Sequence, residues 1–247
     1  MYTKKPEMIL FDVGGTLFID GKCIPREGLS SLRRLSENPD VTDDDRLSAL
    51  WDEYMDEVDV GLRSKNGEQL DIPLSAILKY IIMKSGLRIR LSMYEMEEIF
   101  DRYNSTRTVA RGLTELLEVI KSKGIRAAVI SNNGMSGESL SLAIKRWIPS
   151  SHFEFCLTSA DILLAKPCRQ IFSIAASFAG LKPSDCWYCG DGFRPDVYGA
   201  LKAGMHPVLI DRSADNSLTF RSYEGMGEYM VINHWDKLSE YINNLQD

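Results

Sequence analysis

Short apolar runs alternate with helical patterns along most of this chain. The first run, Met8 to Val13, is halted by Gly14 and Gly15 and predicts a strand buried on both faces, as in a parallel sheet covered by helices. Further strands are predicted over 125–130, 153–157, 186–189 and 207–210, and helices over 113–121, 139–147, 169–179 and 195–203. The helix over 169–179 is apolar on nearly all sides and is predicted to be buried. The alternation is typical of a doubly wound α/β fold with a parallel sheet.

The segment 21–107 has a different pattern. Apolar residues recur there at the spacing of one helix face, and no strand is predicted. The helices are predicted over 43–62, 74–82 and 93–103. The sequence therefore predicts one sheet domain formed by residues 1–20 and 108–247, interrupted by an all-helical insertion at 21–107.

Composition narrows the function. With 29 Lys and Arg against 35 Asp and Glu, the net charge is −6, which argues against a nucleic-acid partner. No stretch approaches the roughly 20 apolar residues of a membrane span, so no membrane association is expected. Five cysteines without a secretory signal fit reduced thiols and a cytoplasmic protein. Cys186 and Cys189 are predicted to point to opposite faces of a strand, which argues against a redox or zinc pair.

Residues that could take part in catalysis or ligand binding follow the predicted strands. In an open α/β sheet, ligands bind beyond the carboxyl ends of the strands. The segments at these positions are Asp12 to Thr16, Ser131 to Gly134, Lys166 with Pro167, and Gly190 to Asp196. Each alone fits a helix cap or a turn. Together and in order they predict a site at one edge of the sheet.

The chemistry of these residues is coherent. Asp12, Asp191 and Asp196 would crowd negative charge unless a cation lies among them, and oxygen ligands suit Mg²⁺. Lys166 adds a second positive charge, and the Ser131 hydroxyl with backbone N–H groups can hold phosphate oxygens. With the incoming phosphate neutralised, a carboxylate can attack phosphorus and form an aspartyl phosphate.

These motifs resemble those of the haloacid dehalogenase superfamily over the whole chain. Asp12 is similar to the nucleophile of the first motif, Ser131 to the second motif, Lys166 to the third, and Asp191 with Asp196 to the acidic fourth. The resemblance implies a Rossmann-like core with a helical, C1-type cap at 21–107. It also implies a flap over residues 16–24 with a turn at Asp20-Gly21.

The resemblance further implies a role for each residue of the site. Mg²⁺ would be held by Asp12, the Gly14 carbonyl and Asp191, with Asp196 close behind, while Lys166 assists catalysis. The residues expected to bind the substrate are Gly15, Thr16, Ser131 and Asn132. The expected partner is a small phosphorylated molecule, and the oligomeric state is left open.

Gly14 departs from the pattern of the family's phosphatases. They carry at this position a second Asp that protonates the leaving group and then activates water, a contribution of about 10²–10⁴-fold. One interpretation is an active phosphatase whose missing acid is replaced, or whose leaving group departs unprotonated, as from acyl or activated aryl phosphates. Another is a protein that binds a phosphorylated ligand and turns it over poorly or not at all.

Other branches of the superfamily also lack Asp at this position. At the fourth motif the dehalogenases of the superfamily have a Ser-x-Asn-x-x-Asp arrangement and bind no metal. This chain has Asp191 and Phe193 at the places of the serine and the asparagine. A phosphonate hydrolase needs a lysine in the cap to form a Schiff base. Lys22 and Lys65 both lie far from the matching place in the sequence, so a phosphatase is favoured.

Overall fold

A computed structural model describes residues 2–61, 71–215 and 218–245. Its strands are β1 Met8–Phe11, β2 Phe18–Cys23, β3 Ser105–Val109, β4 Arg126–Ser131, β5 Phe153–Thr158, β6 Cys186–Gly190, β7 His206–Ile210, β8 Thr219–Tyr223 and β9 Gly227–Ile232. Seven of them form one sheet in the order β5-β4-β1-β6-β7-β9-β8. Every pairing in this sheet is parallel except that of β8 with β9.

Helices cover both faces of this sheet. They are α1 Pro25–Arg34, α2 Asp44–Gly61, α3 Leu74–Ser85, α4 Met93–Asn104, α5 Leu113–Ser122, α6 Gly137–Trp147, α7 Ser159–Ile162, α8 Arg169–Phe178, α9 Gly199–Ala203 and α10 Trp235–Asn244. On one face, Leu116 of α5 and Trp235 of α10 pack in one cluster with Phe11. On the other, Phe172 of α8 packs with Leu10. This arrangement confirms the predicted doubly wound, Rossmann-like α/β core.

The central strands are buried on both faces, as their apolar runs predict. All residues of β1 and β6 are buried. Side chains alternate between faces along a strand, so Cys186 joins the cluster on one face and Cys189 the cluster on the other. The prediction that these two cysteines point to opposite faces of a strand is confirmed.

Helix α8 differs from its prediction as a buried helix. Only one stripe of it, including Ile171 and Ala175, packs against the sheet, whereas Ile174 is 41% and Phe178 is 74% exposed. Apolar residues on the solvent side of a helix are common in proteins, and they made the sequence pattern look uniform. Neither α8 nor any other helix in the described ranges is long and apolar enough to cross a lipid bilayer.

Helices α1 to α4 form a separate layer, here called the helical insert. Its apolar cluster includes Leu47 and Leu50 of α2, Leu78 of α3 and Phe100 of α4. The three helices predicted in this region are all present. Residue 62, the predicted end of α2, and Lys65 lie outside the described residues.

A two-stranded antiparallel ribbon of β2 and β3 connects the helical insert to the core. It corrects two expectations, that 21–107 contains no strand and that Asp20-Gly21 forms a turn. Strand β3 alternates between half-buried and exposed residues, and all of them except Val109 are polar, so the strand gives almost no apolar signal. Both predicted domain boundaries fall inside the ribbon, and the division into two domains stays a prediction.

Candidate active site

The first, second and fourth predicted motifs meet at the carboxyl edge of the sheet. Strand β1 pairs in parallel with β4 on one side and with β6 on the other. Asp12 directly follows β1, Ser131 is the last residue of β4, and Asp191 directly follows β6. Because these strands are neighbours and run in the same direction, their carboxyl ends present the three residues at one edge.

The Lys166 ammonium group completes this cluster from a loop between β5 and α8. Its side chain is 1% exposed, and Nζ lies 2.8 Å from Asp12 Oδ1 and 2.6 Å from Asp196 Oδ1. Burial alone lowers the pKa of a lysine, but the charges and hydrogen bonds of the two aspartates outweigh it and raise the pKa of Lys166. Lys166 therefore keeps a positive charge beside Asp12 at neutral pH.

Tyr188 also contacts Lys166 and was not among the predicted site residues. Its hydroxyl accepts a hydrogen bond from Lys166 Nζ at 2.9 Å and donates one to the Ile130 carbonyl at 3.0 Å. Burial and the neighbouring carboxylates Asp196 and Asp12 raise the pKa of Tyr188 well above its usual value, so the hydroxyl stays protonated. Tyr188 ties Lys166 to the end of β4, next to Ser131.

Three carboxylates form a compact acidic group. Asp12, Asp191 and Asp196 each present an oxygen atom within 4.8 Å of the others. Burial raises the pKa of Asp191, and the charge of Asp12 raises it further. Burial also raises the pKa of Asp196, where Lys166 lowers it and Asp12 adds to the rise. Mutual repulsion and oxygen donors together make this group chemically suited to a hard cation.

Backbone geometry brings the acidic group together. Gly15 has a φ of +61°, and a Cβ there would lie 2.0 Å from Asp191 Oδ2. A Cβ at Gly190 would lie 2.3 Å from Asp196 Cγ. Asp196 itself belongs to a π-helical turn, Phe193–Tyr198, a rare conformation often found at functional sites. Side chains at either glycine would displace a carboxylate.

The predicted substrate-binding residues have different surroundings. Ser131 is 3% exposed at the end of β4, and Thr16 is fully buried. Within the described ranges, the Thr16 hydroxyl has no hydrogen-bond partner. The Asn132 amide donates to the Lys166 carbonyl at 3.0 Å and accepts from the Lys166 N–H at 2.7 Å. Asn132 thus holds the loop that contains Lys166 through two hydrogen bonds.

Arg212 is a second residue that sequence reasoning missed. It follows β7 by two residues at the same edge of the sheet, and its guanidinium donates to the Gly15 carbonyl. Burial lowers the pKa of Arg212, while the nearby Asp191 raises it in part. Its position just after a strand was the signal that could have revealed it. Arg212 places a cationic group against the loop that follows Asp12.

Comparisons with known proteins agree with this fold. A family model for haloacid dehalogenase-like hydrolases matches residues 6–204. The glyceraldehyde 3-phosphate phosphatase of Methanothermobacter thermautotrophicus is 34% identical over 104 residues, which are 40% of this chain and 42% of the relative. The matched region thus spans about two fifths of that curated relative.

Solved structures of the same fold cover nearly the whole chain. The 2-haloacid dehalogenase from Pseudomonas syringae pv. Tomato DC3000 is 18% identical with a TM-score of 0.61 and covers 98% of this chain and 100% of its own. A HAD phosphatase from Thermococcus onnurineus is 20% identical with a TM-score of 0.56 and has the same coverage. At these identities the likeness establishes the fold.

The fold and the family model together define a hydrolase. The chain belongs to the haloacid dehalogenase-like hydrolase family.

Proposed function

We propose that the chain is a Mg²⁺-dependent phosphatase that transfers the phosphoryl group of a small phosphorylated metabolite to Asp12. The observation that carries this proposal is the position of Lys166 Nζ between Asp12 and Asp196, with Asp191 beside them. Three acidic groups and one lysine would repel a phosphate dianion unless further positive charge is present. The similarity of this chain to a curated glyceraldehyde 3-phosphate phosphatase supports a phosphatase activity.

The donor set fits Mg²⁺. Both oxygens of Asp196 are engaged, Oδ1 by Lys166 and Oδ2 by the Gly192 N–H at 2.8 Å. Asp12 and Asp191 would therefore hold the ion together with the Gly14 carbonyl, and Asp196 would support the site from behind. When bound, the ion neutralises charge on the phosphate oxygens.

The residues of the chain would then carry the reaction. Asp12 attacks phosphorus, and the bond to the leaving oxygen breaks with its electron pair passing to the leaving group. Lys166 orients Asp12 and balances negative charge, while the Ser131 hydroxyl and loop N–H groups bind phosphate oxygens. Water then attacks the phosphorus of the aspartyl phosphate, which releases phosphate and restores the Asp12 carboxylate.

The other family branches find less support. Asp191 and Phe193 occupy the places of the serine and asparagine expected for a metal-free dehalogenase. For a phosphonate hydrolase, Lys22 is exposed in the ribbon strand β2, and Lys65 lies outside the described residues. Gly14, which supplies no acid, supports a second candidate function, the binding of a phosphorylated ligand without efficient turnover.

Turnover of a panel of phosphate esters tests the proposal. We expect Mg²⁺-dependent release of phosphate that is abolished by a chelator and reduced by a factor on the order of 10³ or more in Asp12→Asn, because the nucleophile is lost. Circular dichroism of the variant controls for folding. Tight Mg²⁺-dependent phosphate binding without turnover of any ester would favour the binding protein instead.

A further inference from the structure

A cavity of about 290 Å³ lies between the helical insert and the loop that follows β4. We call it the insert cavity. Its apolar wall is formed by Trp51, Ile72, Leu74, Ile77, Phe100 and Met135. The rings of Trp51 and Phe100 are stacked with centroids 5.3 Å apart and 13° between planes. Phe100 is buried and Trp51 half-buried, so the indole is the more accessible ring.

The described residues that line the insert cavity carry no uncompensated charge that could bind an ionic group. Among the described residues that line it, the charged ones are Asp101 and Arg107, and these form a salt bridge with each other. Asp101 is also paired with Arg146 at 3.3 Å. Because both charges are already compensated, the cavity favours a neutral group, and its apolar wall can pack against a ring.

The insert cavity lies close to the predicted phosphate site. Asn133, which lines it, is two residues from Ser131, and two residues of chain span at most about 7 Å. The Leu74 N–H donates to the Gly134 carbonyl at 2.7 Å and fixes the insert against this loop. The Cα atom of Ser131 therefore lies within about 7 Å of that of a residue lining the insert cavity, a separation comparable to the length of a small aryl phosphate.

Gly14 points to the same class of molecule. It cannot protonate a leaving oxygen, so without a replacement acid from another residue the leaving group has to be a weak base. A phenolic hydroxyl has a pKa of about 10, compared with about 15.7 for water, which an alkyl alcohol resembles. A phenolate therefore departs without an acid far more readily than an alkoxide.

We propose that the insert cavity receives the ring of an aryl phosphate, and that aryl esters are the substrate class of this enzyme. This inference rests on the proposed phosphatase activity. Asp12 forms a bond to phosphorus, the bond from phosphorus to the aryl oxygen breaks, and its electron pair leaves on a phenolate that takes a proton from water.

Matched esters test the class. We expect kcat/KM for phenyl phosphate to exceed that for benzyl phosphate and for glyceraldehyde 3-phosphate by at least tenfold. Benzyl phosphate carries the same ring on an alkyl oxygen, so it isolates the effect of the leaving group. Gly14→Asp is expected to raise the ratio of benzyl to phenyl turnover. Equal or faster turnover of either alkyl ester by the natural chain would overturn the proposal.

A second comparison isolates the insert cavity. Acetyl phosphate has an acidic leaving group but no ring. We expect Trp51→Ala to lower the ratio of phenyl to acetyl phosphate kcat/KM on the order of tenfold, because aromatic contacts are lost. Trp51→Phe, which keeps a ring in the helical insert, is expected to lower the ratio less. Trp147→Ala, at an exposed tryptophan of α6, serves as the matched control. An unchanged ratio in both Trp51 variants would refute the role of the cavity.

Binding separates this inference from the proposed function. If no ester is hydrolysed, the proposed phosphatase function is wrong. The affinities of phenylphosphonate and methylphosphonate then test whether the insert cavity binds an aryl group. We expect calorimetry to give tighter binding of the phenyl compound and a smaller preference in Trp51→Phe. Equal affinity for the two phosphonates would overturn the assignment of the cavity to an aryl group.

Discussion

Lys166 is held beside Asp12 by neutral as well as charged groups. The Tyr188 hydroxyl fixes its ammonium group, and the Asn132 amide binds its backbone on both sides. A lysine side chain has several rotatable bonds, so these contacts reduce the number of positions that Nζ can adopt. We infer that Tyr188 is a positioning residue that acts through Lys166.

Tyr188→Phe tests this role by removing a single hydroxyl. We expect kcat for phenyl phosphate to fall about tenfold or more, since a hydrogen bond to a charged group contributes about 1.5–3 kcal/mol. KM should change little, because the Tyr188 side chain is fully buried. Steady-state kinetics separates the two parameters.

Tyr241→Phe is the matched control for that variant. The Tyr241 hydroxyl also donates to a backbone carbonyl, that of Tyr2 at 2.6 Å, but it lies in the apolar layer around α10. The Tyr241→Phe variant should be less stable than the natural protein but keep its kcat. If Tyr188→Phe likewise unfolds more easily but keeps the natural kcat, its role is structural only.

The aspartates and the lysine of the site were predictable from sequence, whereas the support that Tyr188 and Asn132 give to Lys166 was not. Asp12, Ser131 and Asp191 stand where predicted strands end, and this position alone brings them to one edge. Tyr188 lies inside a buried strand, where a tyrosine is expected to be a core residue. Its hydroxyl meets Lys166 only because the loop before α8 folds over β6, a contact that no local pattern encodes.

At the scale of elements, a buried carboxylate joins the helical insert to the core. Glu97 of α4 is 1% exposed and lies at the beginning of α6. It accepts hydrogen bonds from the Ser136 N–H at 3.0 Å, the Ser136 hydroxyl at 2.6 Å and the Ser139 hydroxyl at 2.7 Å. Negative charge at a helix N-terminus is stabilising. The contact fixes α4, which carries Phe100, against the beginning of α6.

Glu97→Ala is expected to destabilise the protein by about 3 kcal/mol, because buried donors lose a charged acceptor. Urea unfolding measures the change. Glu95→Ala is a control on the same helix, where the exposed capping box with Ser92 is lost at a cost of about 1 kcal/mol. Equal losses for the two variants would contradict a special role of Glu97 in docking.

The buried strands and most of the helices that pack on them were predicted, whereas helix α1 and the polar strands were not. Strand β3 and its partner β2 form a ribbon at the surface, where pairing rather than apolar burial defines the strand. The last elements, β8, β9 and α10, were not predicted either. Strand β8 lies at the edge of the sheet with mainly exposed residues, so its sequence resembles a loop.

For the whole molecule, the net charge of −6 opposes the approach of phosphorylated anions. The proposed site therefore depends on local positive charge, from Lys166 and a bound cation, rather than on the overall field. Arg212, at the rim of the same edge, adds to this local charge. The helical insert adds a cavity with an apolar wall near this charged edge, so a substrate that carries both a phosphate and a ring would contact both layers.

The central claim is that Asp12 becomes phosphorylated, and trapping this intermediate tests it most directly. The protein is mixed with ³²P-labelled phenyl phosphate and Mg²⁺, quenched in acid within the first turnover, and the bound label is measured. We predict label that is released by hydroxylamine, requires Mg²⁺ and is absent in Asp12→Asn. Hydrolysis of the ester without any labelled protein, or equal labelling of Asp12→Asn, would contradict the account.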